Sequence, residues 1–196
     1  MNQESVQDQT LPLHIIVQAG GRGSRLRHHT WNKPKCLVSV QGKPLLYHLF
    51  ERFPLAQFHI IGDYAFDVLK TYLNVNDPGV CYELIQANAK GTASGIATAL
   101  ASVPAQAPLL LTWSDLIVGA LPDWPESEVP VVCTTSAFTC RWSVVEGGGL
   151  QEIASNSSGI PGLFYFSRAS LLPTPEIGGE FVKWFAANIP HYQTLA

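Results

Sequence analysis

The stretch IIVQAGGRGSRLRHHTWNKPKCL, residues 15–37, combines an apolar run, a glycine-rich turn and several cations. Its first residues are largely β-branched and are soon followed by glycines, the pattern of a short buried strand that ends in a turn. Gly20, Gly21 and Gly23 have no Cβ, so the backbone there can turn sharply and point its N–H groups at an anion. A tight turn without a ligand is the alternative, and the glycines alone do not decide between the two.

The cations that follow the glycines favour a phosphate ligand. Arg25 comes directly after the loop, and Lys33 and Lys35 flank Pro34 within the next ten residues. A planar guanidinium together with two ammonium groups suits the several negative charges of a triphosphate. The dinucleotide-binding fingerprint does not fit, because it requires a glycine where Leu26 stands, and no Gly-Lys-Ser/Thr of a P-loop follows. We therefore expect a triphosphate-binding loop.

Outward from this loop, segments of strand and helix character alternate along the chain. Parallel strands with right-handed crossover helices are the usual result of such alternation, and the sequence thus predicts an α/β fold with a mostly parallel sheet. Ligands of such sheets bind at the carboxyl ends of the strands, where the glycine turn and Asp115 would lie. The predicted strands are residues 13–19, 58–62, 80–86, 107–115, 131–135, 142–146 and 163–166, and the predicted helices are residues 44–53, 64–73, 91–103 and 178–189.

Composition narrows the classes of protein further. Hydrophobic residues make up 46% of the 196 residues and charged residues only 14%, against about 25% in ordinary soluble domains, so much of the chain should lie in a core or in an interface between copies. The net charge of -3 and the lack of basic runs elsewhere argue against a nucleic-acid partner. The polar start MNQESVQDQT is unlike a signal peptide, and no apolar run reaches the ~20 residues of a membrane helix. We expect a cytoplasmic protein without a membrane partner.

The four cysteines show neither a Cys-x-x-Cys pair nor a histidine at zinc-finger spacing. This spacing favours reduced thiols in the core over disulfides or a metal site. We expect no chemistry from Cys36, Cys81, Cys133 and Cys140.

Three segments together resemble one enzyme family. The run AGGRGSRL, continued by KPKCLVSVQGKPLLYHLF, is similar to the signature of the nucleotidyltransferases that make nucleotide-sugars. In ELIQANAKGTASGIATAL, Gln86 lies five residues before Gly91, as in that family, and LLLTWSDLI resembles its strand ending in Gly-Asp, with Ser114 in place of the glycine. The resemblance covers about residues 13 to 118. It implies a Rossmann-like three-layer α/β/α fold with a mostly parallel, mixed central sheet.

The resemblance also implies a reaction and a set of site residues. A nucleoside monophosphate would pass from a nucleoside triphosphate to a phosphorylated small-molecule acceptor, a sugar 1-phosphate, with release of pyrophosphate, as in polysaccharide biosynthesis. Arg25 and Lys35 would be catalytic groups on the phosphates, and Asp115 would hold Mg²⁺, a cation that prefers carboxylate and phosphate oxygens. The nucleotide would be bound by Ala19, Gly20, Gly21, Gly23, Ser24, Gln86, Gly91 and Thr92.

Less specific interpretations exist for some of these residues. Asp115 follows a predicted strand and could cap a following helix. Gln86 could be an ordinary surface glutamine, and Trp113 is expected in the core.

The chain also departs from the family pattern. It has no Glu-Lys-Pro segment, which contacts the sugar phosphate in typical members, and no aspartate after Asp123 to supply a second metal ligand. Glu146 and Glu180 are the remaining acidic candidates for that ligand. These departures leave open a cytidylyltransferase acting on a non-sugar phosphate such as phosphocholine, or on a phosphonate, and a non-catalytic nucleotide-binding domain. We expect a flexible tail over residues 1–12 and a single domain over 13–196, truncated if the natural chain continues beyond Ala196.

Overall fold

The computed structural model describes residues 11–120, 123–176 and 178–196, so residues 1–10 of the expected tail lie outside the described part. Short 3-10 helices cover Ser24–Thr30, Lys35–Leu37 and Ala169–Leu171. The α-helices are α1 Leu45–Arg52, α2 Phe66–Val75, α3 Ala93–Leu100 and α4 Phe181–Asn188. The strands are β1 His14–Gln18, β2 Ser39–Val40, β3 Lys43–Pro44, β4 Gln57–Gly62, β5 Cys81–Gln86, β6 Leu109–Trp113, β7 Val131–Cys133, β8 Ser143–Val144, β9 Leu150–Gln151, β10 Leu163–Phe166 and β11 Gln193–Leu195.

Seven of the strands form one mixed sheet in the order β11-β7-β10-β6-β1-β4-β5. The pairs β6/β1, β1/β4, β4/β5 and β11/β7 are parallel, whereas β10 runs antiparallel to both β6 and β7. The predicted mostly parallel sheet is confirmed. Because β1, β4, β5 and β6 run in the same direction, their carboxyl ends share one edge of the sheet.

Helices cover the sheet on both faces. Ile16 of β1 packs in a cluster with Ile96 of α3 and Phe185 of α4. Ile15 and Val17, which point the other way because side chains alternate along a strand, pack in a second cluster that includes residues of α1 and α2. These two buried clusters confirm the predicted three-layer α/β/α arrangement.

The cysteines are free thiols, as expected, but not all of them lie in the core. Burial raises the pKa of Cys36 and of Cys133 to about 12, so both are protonated and inert at neutral pH. Cys140 is also buried, whereas Cys81 is exposed at the start of the edge strand β5. The expectation of a core position was wrong for Cys81 because an edge strand has a neighbour on one side only.

Within the described ranges, no helix is long and apolar enough to cross a bilayer.

Three titratable side chains form a row that begins at the amino end of β1, away from the glycine turn. His14 and His59 are buried and share a hydrogen bond of 2.9 Å between Nδ1 and Nε2. His59 Nδ1 lies 3.1 Å from Oε2 of Glu83, whose side chain is half exposed. Burial, and then the neighbouring His59, lower the pKa of His14. In this contact one ring nitrogen donates a hydrogen bond and the other accepts it, and burial disfavours a positive charge on His14.

We expect this row to make folding stability depend on pH. The folded pKa of His14 lies below its unfolded value of about 6.5, so the unfolded chain takes up the proton first, and stability falls as the pH drops below that value. Between pH 7.5 and 5.5, wild type should lose more unfolding free energy than His14→Gln, by at most about 1.4 kcal/mol, the equivalent of one pH unit below 6.5. Urea unfolding at both pH values measures the unfolding free energy of each protein and hence this difference. The exposed His191→Gln should behave as wild type, and equal pH dependence in all three proteins would contradict the role of His14.

Candidate functional site

A cavity of about 630 Å³ lies at the shared carboxyl edge of the sheet. This volume is within the range of about 300 to 1,000 Å³ that is typical of small-molecule sites. Nine of the eleven residues predicted for the site line it, and we call it the main cavity. These nine are Gly20, Gly21, Gly23, Ser24, Arg25, Lys35, Gly91, Thr92 and Asp115.

The glycine loop turns back towards the segment that carries Lys35. Gly23 has a φ of 65°, in the left-handed region that glycine adopts without strain, and its carbonyl accepts hydrogen bonds from Leu26 N–H and Thr30 Oγ1. Lys35 N–H donates to the Gly21 carbonyl at 3.3 Å. A Cβ on Gly23 would lie 3.0 Å from Cβ of Lys35, so a side chain there would crowd the lysine. The loop and Lys35 therefore form one unit, although thirteen residues lie between Gly21 and Lys35.

The three predicted cations do not all converge. Arg25 is exposed on the 3-10 helix that follows Gly23, and its side chain lines the main cavity together with Lys35. Lys33 lines a different cavity, beside Pro44 and Tyr72. The chain turns after Pro34 into the short 3-10 helix that begins at Lys35, and this turn separates the two lysines. The expected convergence was therefore wrong for Lys33.

Lys35 and Asp115 form an ion pair inside the main cavity. Their side chains are 30% and 40% exposed, so the pair contributes about 1 kcal/mol or less to stability and opens at little cost. Asp115 follows β6, and the preceding Ser114 N–H donates to the Gln18 carbonyl at 3.1 Å, which fixes the backbone there. No helix follows Asp115 over residues 116–120, so the helix-cap interpretation was wrong.

The donor set suits a magnesium ion that arrives with a nucleotide. Asp63 and Asp115 both line the main cavity, and no group of three or more histidine, cysteine or acidic side chains that could hold a metal occurs among the described residues. Mg²⁺ commonly takes one or two carboxylates and completes its shell with water and substrate phosphates. Asp115 therefore fits the proposed role, with a nucleotide supplying further oxygens.

Two of the predicted nucleotide-binding residues do not line the main cavity. Ala19 is fully buried, and its N–H donates to the Ile61 carbonyl at 2.8 Å, as in an extension of the sheet. Gln86 is exposed at the end of β5 and does not line the main cavity. Alternation along β5 places Ile85 on the face covered by α3 and α4, so Gln86 points to the other face.

Gly91 and Thr92 do line the main cavity, but much of their bonding capacity is used inside the protein. Gly91 has a φ of 92° and forms a bridge with Gly179, whose carbonyl accepts Ala93 N–H at 3.3 Å. Thr92 Oγ1 accepts the N–H of Phe181 at 2.8 Å. The start of α3 is thus joined to the segment before α4.

Three polar residues that line the main cavity, Gln18, Asp63 and Ser114, were not among the predicted site residues. Gln18 is buried, and its Nε2 donates to the Thr92 carbonyl at 2.9 Å, which holds the start of α3 against the end of β1. Its signal in the sequence was available, because alternation from Ile16 places Gln18 on the α3 face at the carboxyl end of a strand. Trp113, expected in the core, is half-buried and packs against the core while also lining the main cavity.

A smaller cavity of about 240 Å³ adjoins the main cavity. The two share Thr92, Trp113 and Asp115, and Glu180 lines the smaller one. Glu146, the other acidic candidate, is exposed and lines neither cavity. The two cavities thus meet at Asp115.

Comparison with known proteins identifies the part of the chain that carries the main cavity. The family model of the MobA-like NTP transferase domain matches residues 15–120. The chain is 37% identical over 68 residues to a CTP:phosphoglutamine cytidylyltransferase of Campylobacter jejuni, which is 33% of this chain and 27% of that protein. The chain spans about a quarter of the length of the first curated relatives it matches, 27% and 22%.

Solved structures share the fold. A UDP-glucose pyrophosphorylase from Acinetobacter baumanii superposes with a TM-score of 0.68 at 12% identity, covering 94% of this chain and 86% of the other. A CTP:phosphocholine cytidylyltransferase from Streptococcus pneumoniae has a TM-score of 0.61 at 18% identity, covering 95% and 91%. At such identities the likeness shows the fold alone. One of these two proteins is named for UDP-glucose and the other for phosphocholine, so proteins named for a sugar and for a non-sugar compound share this fold.

Proposed function

Because the chain belongs to the family of MobA-like NTP transferase domains, we propose that it transfers a nucleoside monophosphate from a nucleoside triphosphate to a phosphorylated small molecule. The observation that carries this proposal is the main cavity, in which the glycine loop, Arg25, Lys35 and Asp115 meet at the carboxyl edge of the sheet. The finer proposal for the acceptor is a sugar 1-phosphate, and the product would then be a nucleotide-sugar for polysaccharide biosynthesis in the cytoplasm.

In this reaction an oxygen of the acceptor phosphate attacks the α-phosphorus of the triphosphate. The bond from the α-phosphorus to the bridging oxygen breaks, and pyrophosphate leaves with the electron pair of that bond. Negative charge grows on the leaving oxygens, and the protein accelerates the step by holding both reactants in line and by placing cations where that charge develops.

The residues of the main cavity suit this task. The glycine loop brings backbone close to the phosphates, Arg25 offers a planar fork, and Lys35 exchanges its partner Asp115 for a phosphate oxygen. Asp115, once released, would hold Mg²⁺, which when bound neutralises phosphate charge and reduces the repulsion between two anionic reactants. Gln18 keeps the start of α3 in position from below the cavity.

A specific observation favours a second acceptor class. The stretch of 68 residues that is 37% identical to a CTP:phosphoglutamine cytidylyltransferase supports an acceptor that is not a sugar 1-phosphate. A cytidylyltransferase acting on a small non-sugar phosphate is therefore the alternative.

A substrate panel tests the proposal. Each of ATP, CTP, GTP and UTP is mixed with the full chain, Mg²⁺ and one acceptor from a set of sugar 1-phosphates, phosphocholine and a phosphonate, and pyrophosphate release is measured. We expect release with one triphosphate and one acceptor class, and none without acceptor. Triphosphate binding without release in any mixture would favour a non-catalytic nucleotide-binding domain, and no triphosphate binding at all would contradict the proposal.

A further inference from the structure

The adjoining cavity contains one cation among the described residues that line it, Arg141. Its other polar groups include two carboxylates, Asp115 and Glu180, and its walls include the indoles of Trp113 and Trp142. An acceptor that carries a phosphate needs a positive charge in this cavity, since two carboxylates on its wall repel a dianion.

The backbone around Arg141 is firmly held. Cys140 and Ser155 exchange two backbone hydrogen bonds, at 2.8 and 3.1 Å, and Ile160 N–H donates to the Trp142 carbonyl at 2.8 Å. Ser143, two residues after Arg141, pairs with Gln151 in the β8/β9 hairpin. These contacts fix the position of the Arg141 backbone beside the adjoining cavity.

The guanidinium of Arg141 joins two carboxylates that lie on different sides. Nε and Nη2 both contact Oε1 of Glu152, at 2.8 and 2.7 Å, while Nη1 donates to Oε1 of Glu180 at 3.0 Å. Glu152 does not line the adjoining cavity, whereas Glu180 does. Glu152 therefore binds one edge of the guanidinium from outside the adjoining cavity. The other edge faces this cavity, and its carboxylate partner, Glu180, can be replaced by a stronger anion.

All three side chains are about half exposed, with 60% for Arg141, 50% for Glu152 and 49% for Glu180. Exposed ion pairs of this kind contribute little to stability, so exchange of Glu180 for another anion costs little. A phosphate dianion binds a guanidinium more strongly than one carboxylate does, because it offers several oxygens to the planar fork.

We propose that Arg141 binds the phosphate group of the acceptor in the adjoining cavity, taking a phosphate monoester in place of Glu180 while Glu152 keeps the guanidinium in position. This inference rests on the proposed function and assigns a part of its acceptor site. The acceptor class is a phosphate monoester with a small head group, since the cavity holds about 240 Å³. Arg141 is a binding residue, and Glu152 is a positioning residue.

The test measures binding of three probes to the full chain: inorganic phosphate, glucose 1-phosphate and phosphocholine. The main cavity is first saturated with the α,β-methylene analogue of the triphosphate that binds, and calorimetry then gives the Kd of each probe. Wild type is compared with Arg141→Gln, Glu180→Gln and Glu152→Gln, and Arg168→Gln is the matched control. Arg168 is an arginine paired with Glu128, and it lines neither cavity.

We expect Arg141→Gln to raise the Kd of the probes tenfold or more, in line with the loss of a charge-assisted hydrogen bond. Glu180→Gln should lower the Kd about two- to fivefold, because a competitor for Arg141 is removed. Glu152→Gln should raise it a few-fold, and Arg168→Gln should leave it unchanged. A purely structural ion-pair cluster would instead leave the Kd values unchanged and lower the melting temperature in all three cluster variants.

The outcomes separate this inference from the proposed function. Normal triphosphate binding and turnover, with an acceptor KM that is the same in wild type and Arg141→Gln, would overturn the role of Arg141 alone. Failure of wild type to bind any triphosphate would overturn the proposed function and this inference with it. A rise in acceptor KM in Arg141→Gln, with the triphosphate Kd within twofold of wild type, would support both.

Discussion

Replacing Arg25 with alanine should lower turnover by two or more orders of magnitude. Arg25 is the fork-shaped cation of the main cavity and follows the glycine loop directly. Loss of one preorganised charge at a developing oxyanion typically lowers kcat by about 10²- to 10³-fold. Because the side chain is exposed, the melting temperature should hardly change. Steady-state kinetics of pyrophosphate release, with a thermal melt of each variant, measure both quantities.

Two variants sharpen this test. Arg25→Lys keeps the charge and loses the planar fork, so its turnover should lie between those of wild type and Arg25→Ala. Arg27→Ala removes a neighbouring exposed arginine, at the kink within Ser24–Thr30, that does not line the main cavity, so its turnover should match that of wild type. Near-normal turnover in a folded Arg25→Ala variant would contradict a role of Arg25 in binding the phosphates.

Asp115→Asn should lower metal-dependent turnover about a hundredfold or more and leave the fold intact. The amide keeps the shape of the side chain but loses the charge that a hard cation requires. Stability should change by about 1 kcal/mol or less, because the Lys35 pair is partly exposed and no helix depends on this residue as a cap. Turnover is measured as a function of Mg²⁺ concentration beside a thermal melt.

A second measurement on Asp115→Asn does not depend on turnover. In the absence of metal, the affinity for the triphosphate should be equal to or higher than that of wild type, since a negative charge leaves the main cavity and Lys35 becomes free for a phosphate. Asp67→Asn, an exposed carboxylate in the first turn of α2, serves as the control. If Asp115→Asn retained full activity at ordinary Mg²⁺ concentrations, Asp115 would have no metal role.

The parts of the site that the sequence predicted well depend on local patterns. Gly23 and Arg25 follow a strand within a few residues, and Asp115 stands directly after the buried run of β6, so alternation and turn chemistry were enough to place them at the edge of the sheet. The same local rules failed for Lys33, because a single turn after Pro34 decides which of two lysines enters the cavity.

Other parts of the site arise only from packing between distant segments. Thr92 and Phe181 lie 89 residues apart and are joined through the Thr92 hydroxyl, so neither segment alone indicates that this group is already used. Arg141 and Glu180 lie 39 residues apart, and the cavity beside them forms only when the β8/β9 region meets α4. The order of strands in the sheet determines both of these contacts, and hydrophobic periodicity does not specify that order.

The strand order also has a consequence for synthesis on the ribosome. Strands β1, β4, β5 and β6 are complete once residue 113 has been made, and they pair with one another, so half of the sheet can assemble while the chain is still growing. Strand β7 comes next in the chain, but its neighbours in the sheet are β10 and β11, which are made some thirty and sixty residues later. Val131 and Val132, which are fully buried in the folded protein, therefore have no partner strand during this interval, and apolar residues exposed in this way make a growing chain prone to aggregation.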